Sequence, residues 1–235
     1  MCTVTFVLRH GTAVITSNRD EQPRRRAFAI RTEERNGKTI RFPQDPQAGG
    51  TWFAVDDEGN AAVLLNGAAE KHRHAPPYRR SRGLILLDFF ATENALASWD
   101  GIDLTDVESF TVVLYLSSLL YQLRWDGNGK ETLGLSVTDD HIWSSSTLYP
   151  LEVRRQREKW FREFLQDQPT PTPHDLFEFH RHSHEDDRHD GLVIERGSHL
   201  QTVSITQTVL EGRAVQLTHH DLATEPVIQP VPAAK

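Results

Sequence analysis

The one cysteine of this chain stands at position 2, directly behind the initiator methionine. Removal of Met1 would leave a thiol and a free α-amine on the same residue. An α-amine has a reference pKa of about 8, against about 10.4 for lysine, so it can accept a proton near neutrality and activate the thiol beside it without a separate histidine. With Met1 retained, the Cys2 nitrogen is an amide and cannot take that part. A second group of chemistry-bearing residues follows in the run Ser17-Asn18-Arg19-Asp20-Glu21. Thiolate chemistry is favoured by a nearby cation, which Arg19 can supply. Asp20 can hold an amine or ammonium by a charge-assisted hydrogen bond, and Asn18 is a candidate donor. The same residue types are common where a strand ends in a solvated turn, so their meaning depends on the elements that carry them.

Those elements can be read from periodicity. In residues 3–8, Val4, Phe6 and Leu8 alternate with Thr3, Thr5 and Val7, the pattern of a strand. A second β-rich run over 12–17 follows Arg9-His10-Gly11, which predicts an opening hairpin. An antiparallel return brings Ser17 to Glu21 back beside Cys2. Because Arg19 and Asp20 are adjacent on a strand, they are expected to face opposite ways. Residues 22–41 read as a polar, arginine-rich surface excursion. TWFAVDD and AAVLLNG flank Glu58-Gly59-Asn60 as a second hairpin, the latter strand buried on both faces. Residues 81–98 show helical spacing with Ser81 at the N-cap. FTVVLYLS and LLYQLRWDG read as successive strands, and 151–166 as an amphipathic helix. Thr172-Pro173 opens a short helix through Phe179. TVSITQTVL and AVQLTHH form a last hairpin, and 223–235 is a loosely held, proline-rich tail. Strands in pairs with helices between them predict one α+β domain over 1–235, with mostly antiparallel sheet.

Composition narrows the function classes. With 235 residues, 37% of them hydrophobic and 25% charged, the chain has the make-up of a globular domain, and it holds no apolar run long enough for a membrane span. A net charge of -7 without a basic stripe argues against a nucleic-acid partner. A single cysteine and an N-terminus without a signal-peptide pattern predict a cytoplasmic protein. The run HRHSHEDDRHD, 180–190, carries metal-ligand types without the spacing of a closed site and reads as a charged loop, so no metal is assigned. His72 and His74 beside Pro76-Pro77 also read as loop residues, and the five tryptophans, Trp52, Trp125 and Trp160 among them, as core and hairpin packing.

Met1-Cys2-Thr3, Asn18-Arg19-Asp20-Glu21, Gly49-Gly50-Thr51-Trp52, Asp57-Glu58-Gly59, Leu64-Leu65-Asn66 and the block Ser144 to Pro150 with its following arginine-rich helix resemble the NRDE family, proteins of the transport-and-Golgi-organization type. The resemblance runs through most of the chain. Proteins of this family resemble N-terminal-nucleophile (Ntn) hydrolases such as the choloylglycine hydrolase and penicillin acylase group, which implies a four-layer αββα sandwich. It further implies Cys2 as nucleophile on a non-peptide amide, with its own amine as proton shuttle. Arg19 and Asp20 would orient and polarise it, and Asn66 would help hold the oxyanion. Trp52 and Ser145 fall in family blocks and are expected to line the binding site; Ser145 stands where family members tend to carry an asparagine. The implied ligand is a small molecule, and no cofactor is required. An alternative in the same resemblance is a non-catalytic haem or lipid carrier, with Cys2 or His10 touching the ligand.

Overall fold

The computed structural model describes residues 3–27 and 29–222. Cys2 and the 223–235 tail lie outside the described residues. Strands β1 (Thr3–Arg9) and β2 (Thr12–Glu21) form the expected hairpin, in register from Arg9↔Thr12 to Thr3↔Asn18. Ser17 to Glu21 forms the end of β2, beyond the β-rich run over 12–17, so the solvated-turn alternative for these residues falls away. The surface excursion expected over 22–41 instead carries a hairpin of β3 (Ile30–Arg35) and β4 (Lys38–Pro43). Its turn is Asn36-Gly37, with φ of 52° and 80°, the dipeptide most suited to a two-residue hairpin loop. β5 (Phe53–Asp56) and β6 (Ala61–Asn66) follow as expected, and Asp56 fixes their turn by accepting the N–H groups of Glu58 and Asn60.

The one helix expected over 81–98 is two, α1 (Arg82–Phe90) and α2 (Ala95–Gly101). Asn94 starts the second by accepting the Ala97 N–H, whereas Ser81 sits at the α1 N-cap position without a side-chain cap bond. β7 (Phe110–Leu116) and β8 (Leu119–Trp125) match expectation; β9 (Lys130–Leu135) and β10 (His141–Ser144), strands with no fully buried residue, were not foreseen. α3 (Leu151–Asp167) is the amphipathic helix. α4 (Pro173–His182) opens on a reciprocal Thr172–Asp175 capping box and continues past Phe179, which takes His180 out of the supposed loop. β11 (Glu195–Arg196), β12 (Leu200–Glu211) and β13 (Ala214–Asp221) complete the chain.

The strands make two antiparallel sheets, β10-β1-β2-β12-β11 with β13 also on β12, and β3-β4-β5-β6-β7-β8-β9. Strand alternation divides their apolar side chains among three cores. Val4, Phe6, Ala13 and Ile15 of the first sheet meet Val63, Leu65 and Val113 of the second. The outer face of the second sheet packs α1 and α2, centred on fully buried Trp99 between Phe89 and Phe110. The outer face of the first packs α3 and α4 through Val7, Val14, Phe161, Leu176 and Phe179. The result is the expected four-layer αββα sandwich. Each large apolar side chain so buried stabilises the fold by about 2–3 kcal/mol, which holds the two sheets at the spacing the site needs.

Candidate functional site

Thr3 pairs with Asn18 on one side and Ser144 on the other, so the start of β1 lies between the NRDE run and the 144–146 segment. Cys2 directly precedes Thr3 but lies outside the described residues. The alternation of β2 separates Arg19 from Asp20, as their adjacency requires. Arg19 faces Trp52 and the gap between the sheets; Asp20 faces the α3 side.

Arg19 is almost fully buried, and its guanidinium lies 4.0 Å from the centroid of the Trp52 ring. Its Nη2 donates to Asp45 Oδ2 at 2.7 Å, and Nη1 donates to the Arg25 carbonyl. Asp45 Oδ2 also takes Arg25 at 2.6 Å. Burial pushes the Asp45 carboxyl up, but the N–H of Ala48 and the guanidiniums of Arg19 and Arg25 outweigh it and leave the group below its ordinary range. Asp45 is thus an anion that fixes two cations. It sits in the proline- and glycine-rich stretch after β4, and sequence reasoning did not single it out. These residues, with Trp52 and Asn66, line a cleft of about 80 Å³ closed by the start of α1. The Trp52 Nε1–H has no partner among the described residues. On the α1 side Arg82 pairs with Glu108 at 3.0 Å; burial lowers the guanidinium's pKa, and Glu108 opposes that shift.

On the other face of β2, Asp20 accepts hydrogen bonds from the Tyr149 and Thr202 hydroxyls. The Tyr149 ring lies between two arginines, with Arg157 at 3.6 Å and Arg196 at 5.0 Å from its centroid. Arg157 is fully buried in α3 and donates to Thr3 Oγ1 at 2.6 Å and to the carbonyls of Asp190 and Gly191. Asn18 faces the same layer. Its amide donates to the carbonyls of His180, at 3.0 Å, and Leu192, at 2.7 Å, and its Oδ1 meets His180 Nδ1. Because that oxygen can only accept, His180 carries its proton on Nδ1, and Nε2 accepts from Thr5 Oγ1 at 2.8 Å. Burial, with Arg157 nearby, pushes His180 down to about 3, so it is neutral. Asn18, expected as a donor toward the thiol, spends both amide hydrogens on anchoring α4 and the 190–192 segment. His180, expected in a charged loop, is a fully buried link between α4 and the first hairpin.

Asn66 ends β6 and lines both the first cleft and a second of about 100 Å³. Its carbonyl accepts from Ser145 Oγ at 2.8 Å, and Thr147 in turn donates to Ser145 at 2.9 Å. Gly67 permits this approach. Its φ is +83°, and a Cβ there would stand 2.3 Å from Ser146 Oγ and 2.8 Å from Thr147 Cγ2. Ser145 is therefore at the site, but its hydroxyl positions the Asn66 backbone.

His10 is exposed in the β1–β2 turn, a strand length of about 20 Å from Thr3, so it cannot join the residues around Asn18. Among the described residues no cluster of His, Cys, Asp and Glu could hold a metal ion, and no helix is long and apolar enough to cross a membrane.

Residues 1–214 match the family model of Transport and Golgi organisation 2 (TANGO2). The chain belongs to that family. No curated protein matches it by sequence. Among solved structures, this TANGO2-family chain is similar to a Caenorhabditis elegans N-acylethanolamine-hydrolyzing acid amidase (NAAA) ortholog, with a TM-score of 0.58, 10% identity, and coverage of 90% of this chain and 93% of that one. It is also similar to penicillin V acylase from Agrobacterium tumefaciens, with a TM-score of 0.53, 9% identity and coverage of 96% and 84%. A variant of conjugated bile acid hydrolase from Clostridium perfringens gives 0.52, 10%, and 94% and 89%. At these identities the likeness is one of fold: this chain shares the Ntn-hydrolase-like sandwich.

Proposed function

We propose that this TANGO2-family protein is an Ntn-type amidohydrolase acting on a small, non-peptide amide. In this reading Met1 is removed and the Cys2 α-amine takes the thiol proton as Sγ attacks the amide carbonyl carbon. Charge on the carbonyl oxygen is met by the Asn66 side-chain amide; one such donor is worth about 3–4 kcal/mol of barrier. The C–N bond breaks, the ammonium proton passes to the leaving amine, and a Cys2 thioester remains. Water then adds to the thioester and releases the carboxylic acid and the free thiol. Arg19 acts as a fixed positive charge beside the reacting atoms, held by Asp45 and Trp52 so that it cannot swing away. Asp20 braces the end of β2 through Tyr149 and Thr202.

The observation that carries this reading is that Arg19, Trp52 and Asn66 line one cleft, while Thr3, the residue after Cys2, pairs with Asn18, the neighbour of Arg19 on β2. Three structural neighbours, named as a conjugated bile acid hydrolase, a penicillin V acylase and an N-acylethanolamine-hydrolyzing acid amidase, support it through their shared fold. The test is a hydrolysis panel of N-acyl amino acids, N-acylethanolamines and lactones on protein shown by mass to lack Met1. Turnover that disappears in Cys2→Ala supports the reading; turnover unchanged in Cys2→Ala rejects it.

A further inference from the structure

Three side chains that line the second cleft carry buried donors that nothing in the described protein uses. Arg124, Arg154 and Ser144 line it, and each has a buried polar atom without a partner: Nε of both arginines and the serine Oγ. The other hydroxyls there are committed. Thr111 donates to the Gly67 carbonyl, Ser145 to that of Asn66, and Ser146 to that of Glu70. A pocket with spare donors and committed hydroxyls suits a group that only accepts hydrogen bonds, and an ionised carboxylate is such a group. Charge points the same way: two guanidiniums line the cleft against the single carboxylate of Glu158, in a protein whose net charge is -7. Arg124 donates its Nη1 to Glu131 and its Nη2 to Gln122, each at 3.3 Å, and Arg154 donates its Nη1 to the Ala69 carbonyl at 3.0 Å, which leaves the two Nε–H groups unused. A monoanion fits this surplus better than a phosphate dianion, which would face Glu158.

We propose that the second cleft is a carboxylate subsite, so that the amide taken by this protein bears a carboxylate on its amine side, as an N-acyl amino acid does. The proposal rests on the amidohydrolase reading only for placing the scissile carbonyl at Asn66, the residue common to both clefts. With the carbonyl there, the two sides of the amide enter different clefts, and the donor-rich one receives the leaving amine. A wider cavity of about 490 Å³ shares Ser146 and Arg154 with this subsite and has room for a side chain larger than that of glycine.

The test uses the full-length Cys2→Ala variant, which binds without turning over. Phenylacetylglycine and its neutral primary amide are titrated while the Trp143 indole, which lines the cleft, is followed by NMR and assigned with Trp143→Phe. The acid should bind about tenfold more tightly than the amide, the effect of charge-assisted hydrogen bonds. Arg124→Gln and Arg154→Gln should each cut that preference severalfold, and together abolish it, with affinity for the neutral amide falling far less than affinity for the acid and an unchanged Tm reporting an intact fold. Equal affinities, a preference that survives the double substitution, or no change at Trp143 with either compound overturns the subsite. Carboxylate preference in Cys2→Ala with no hydrolysis by the processed wild type would leave the subsite standing and remove the enzymatic reading. Hydrolysis that ignores charge on the leaving amine would do the reverse.

Discussion

Lowering the pH from 7 to 5 should remove a large part of this protein's folding stability, through two buried histidines. Burial, with the Arg157 charge nearby, takes His180 down to about 3; burial takes His219 down to about 4, partly offset by its bond to the Ala27 carbonyl and by Asp221. The unfolded chain titrates both at about 6.5. Above that pH both states are neutral at these positions and stability is fully present. Below it the unfolded chain takes up protons that the native state refuses, so stability falls by about 1.4 kcal/mol per pH unit for each histidine until the folded values are reached. From pH 7 to 5 this integrates to about 2 kcal/mol per histidine and about 4 kcal/mol for the pair. His220 shifts in the same direction and adds to the loss. Asp45 and Glu108 are held below the ordinary carboxylate range, so their contributions are lost only at lower pH. Against a typical total of 5–15 kcal/mol, the effect moves the whole denaturation curve. Urea unfolding followed by tryptophan fluorescence at half-unit pH steps measures it. His180→Gln and His219→Gln should each flatten the dependence by about half. Equal stability at pH 7 and pH 5, or an unchanged slope in the double variant, refutes the reasoning.

Other outcomes follow from the site. Asn66→Ala should lower kcat/KM by a factor of about 100 or more with little change in Tm, since the structural contact of Asn66 is its backbone carbonyl; the wild-type rate in the variant would remove Asn66 from the chemistry. Asp45→Asn strips the shared carboxylate from Arg19 and Arg25 and should destabilise the protein by about 3 kcal/mol, read by thermal denaturation. Gly50→Ala would place a Cβ 2.5 Å from the Gly83 carbonyl carbon and 2.6 Å from the Leu84 nitrogen. The overlap should cost about 1–3 kcal/mol and displace the start of α1; an unchanged Tm would show that the wall yields freely.

The parts of the fold legible in the sequence were those with a local cause. Val4 and Phe6 alternating with Thr3 and Thr5, the doubly buried β6, and Thr172-Pro173 at a helix start each announce their element within a few residues. The β3–β4 hairpin was also announced, by Asn36-Gly37, but its charged strands carry only a weak apolar pattern. β9 and β10 hide for the same reason: neither contains a fully buried residue. The site was legible only in its ends. That Arg19 and Asp20 part company follows from alternation, and the return of β2 to the start of β1 follows from the hairpin. Their partners are non-local. Asp45 lies in a proline-rich loop, and Tyr149 reaches Asp20 across more than half the chain. Arg157 sits in a helix so rich in charge that nothing nearby marks it as buried. His180 looked like one member of a polar run because the groups that satisfy it, Asn18 and Thr5, belong to the opposite end of the sequence.

The central claim is that a trimmed N-terminus makes Cys2 a nucleophile, and intact mass spectrometry tests it most directly. Protein purified from cells and incubated with a β-lactone acylating probe should first show a mass lacking Met1. It should then show a single acyl adduct that tandem fragmentation places on Cys2, absent in Cys2→Ala. A retained methionine, or processed protein that stays unmodified or is acylated elsewhere, would contradict the account.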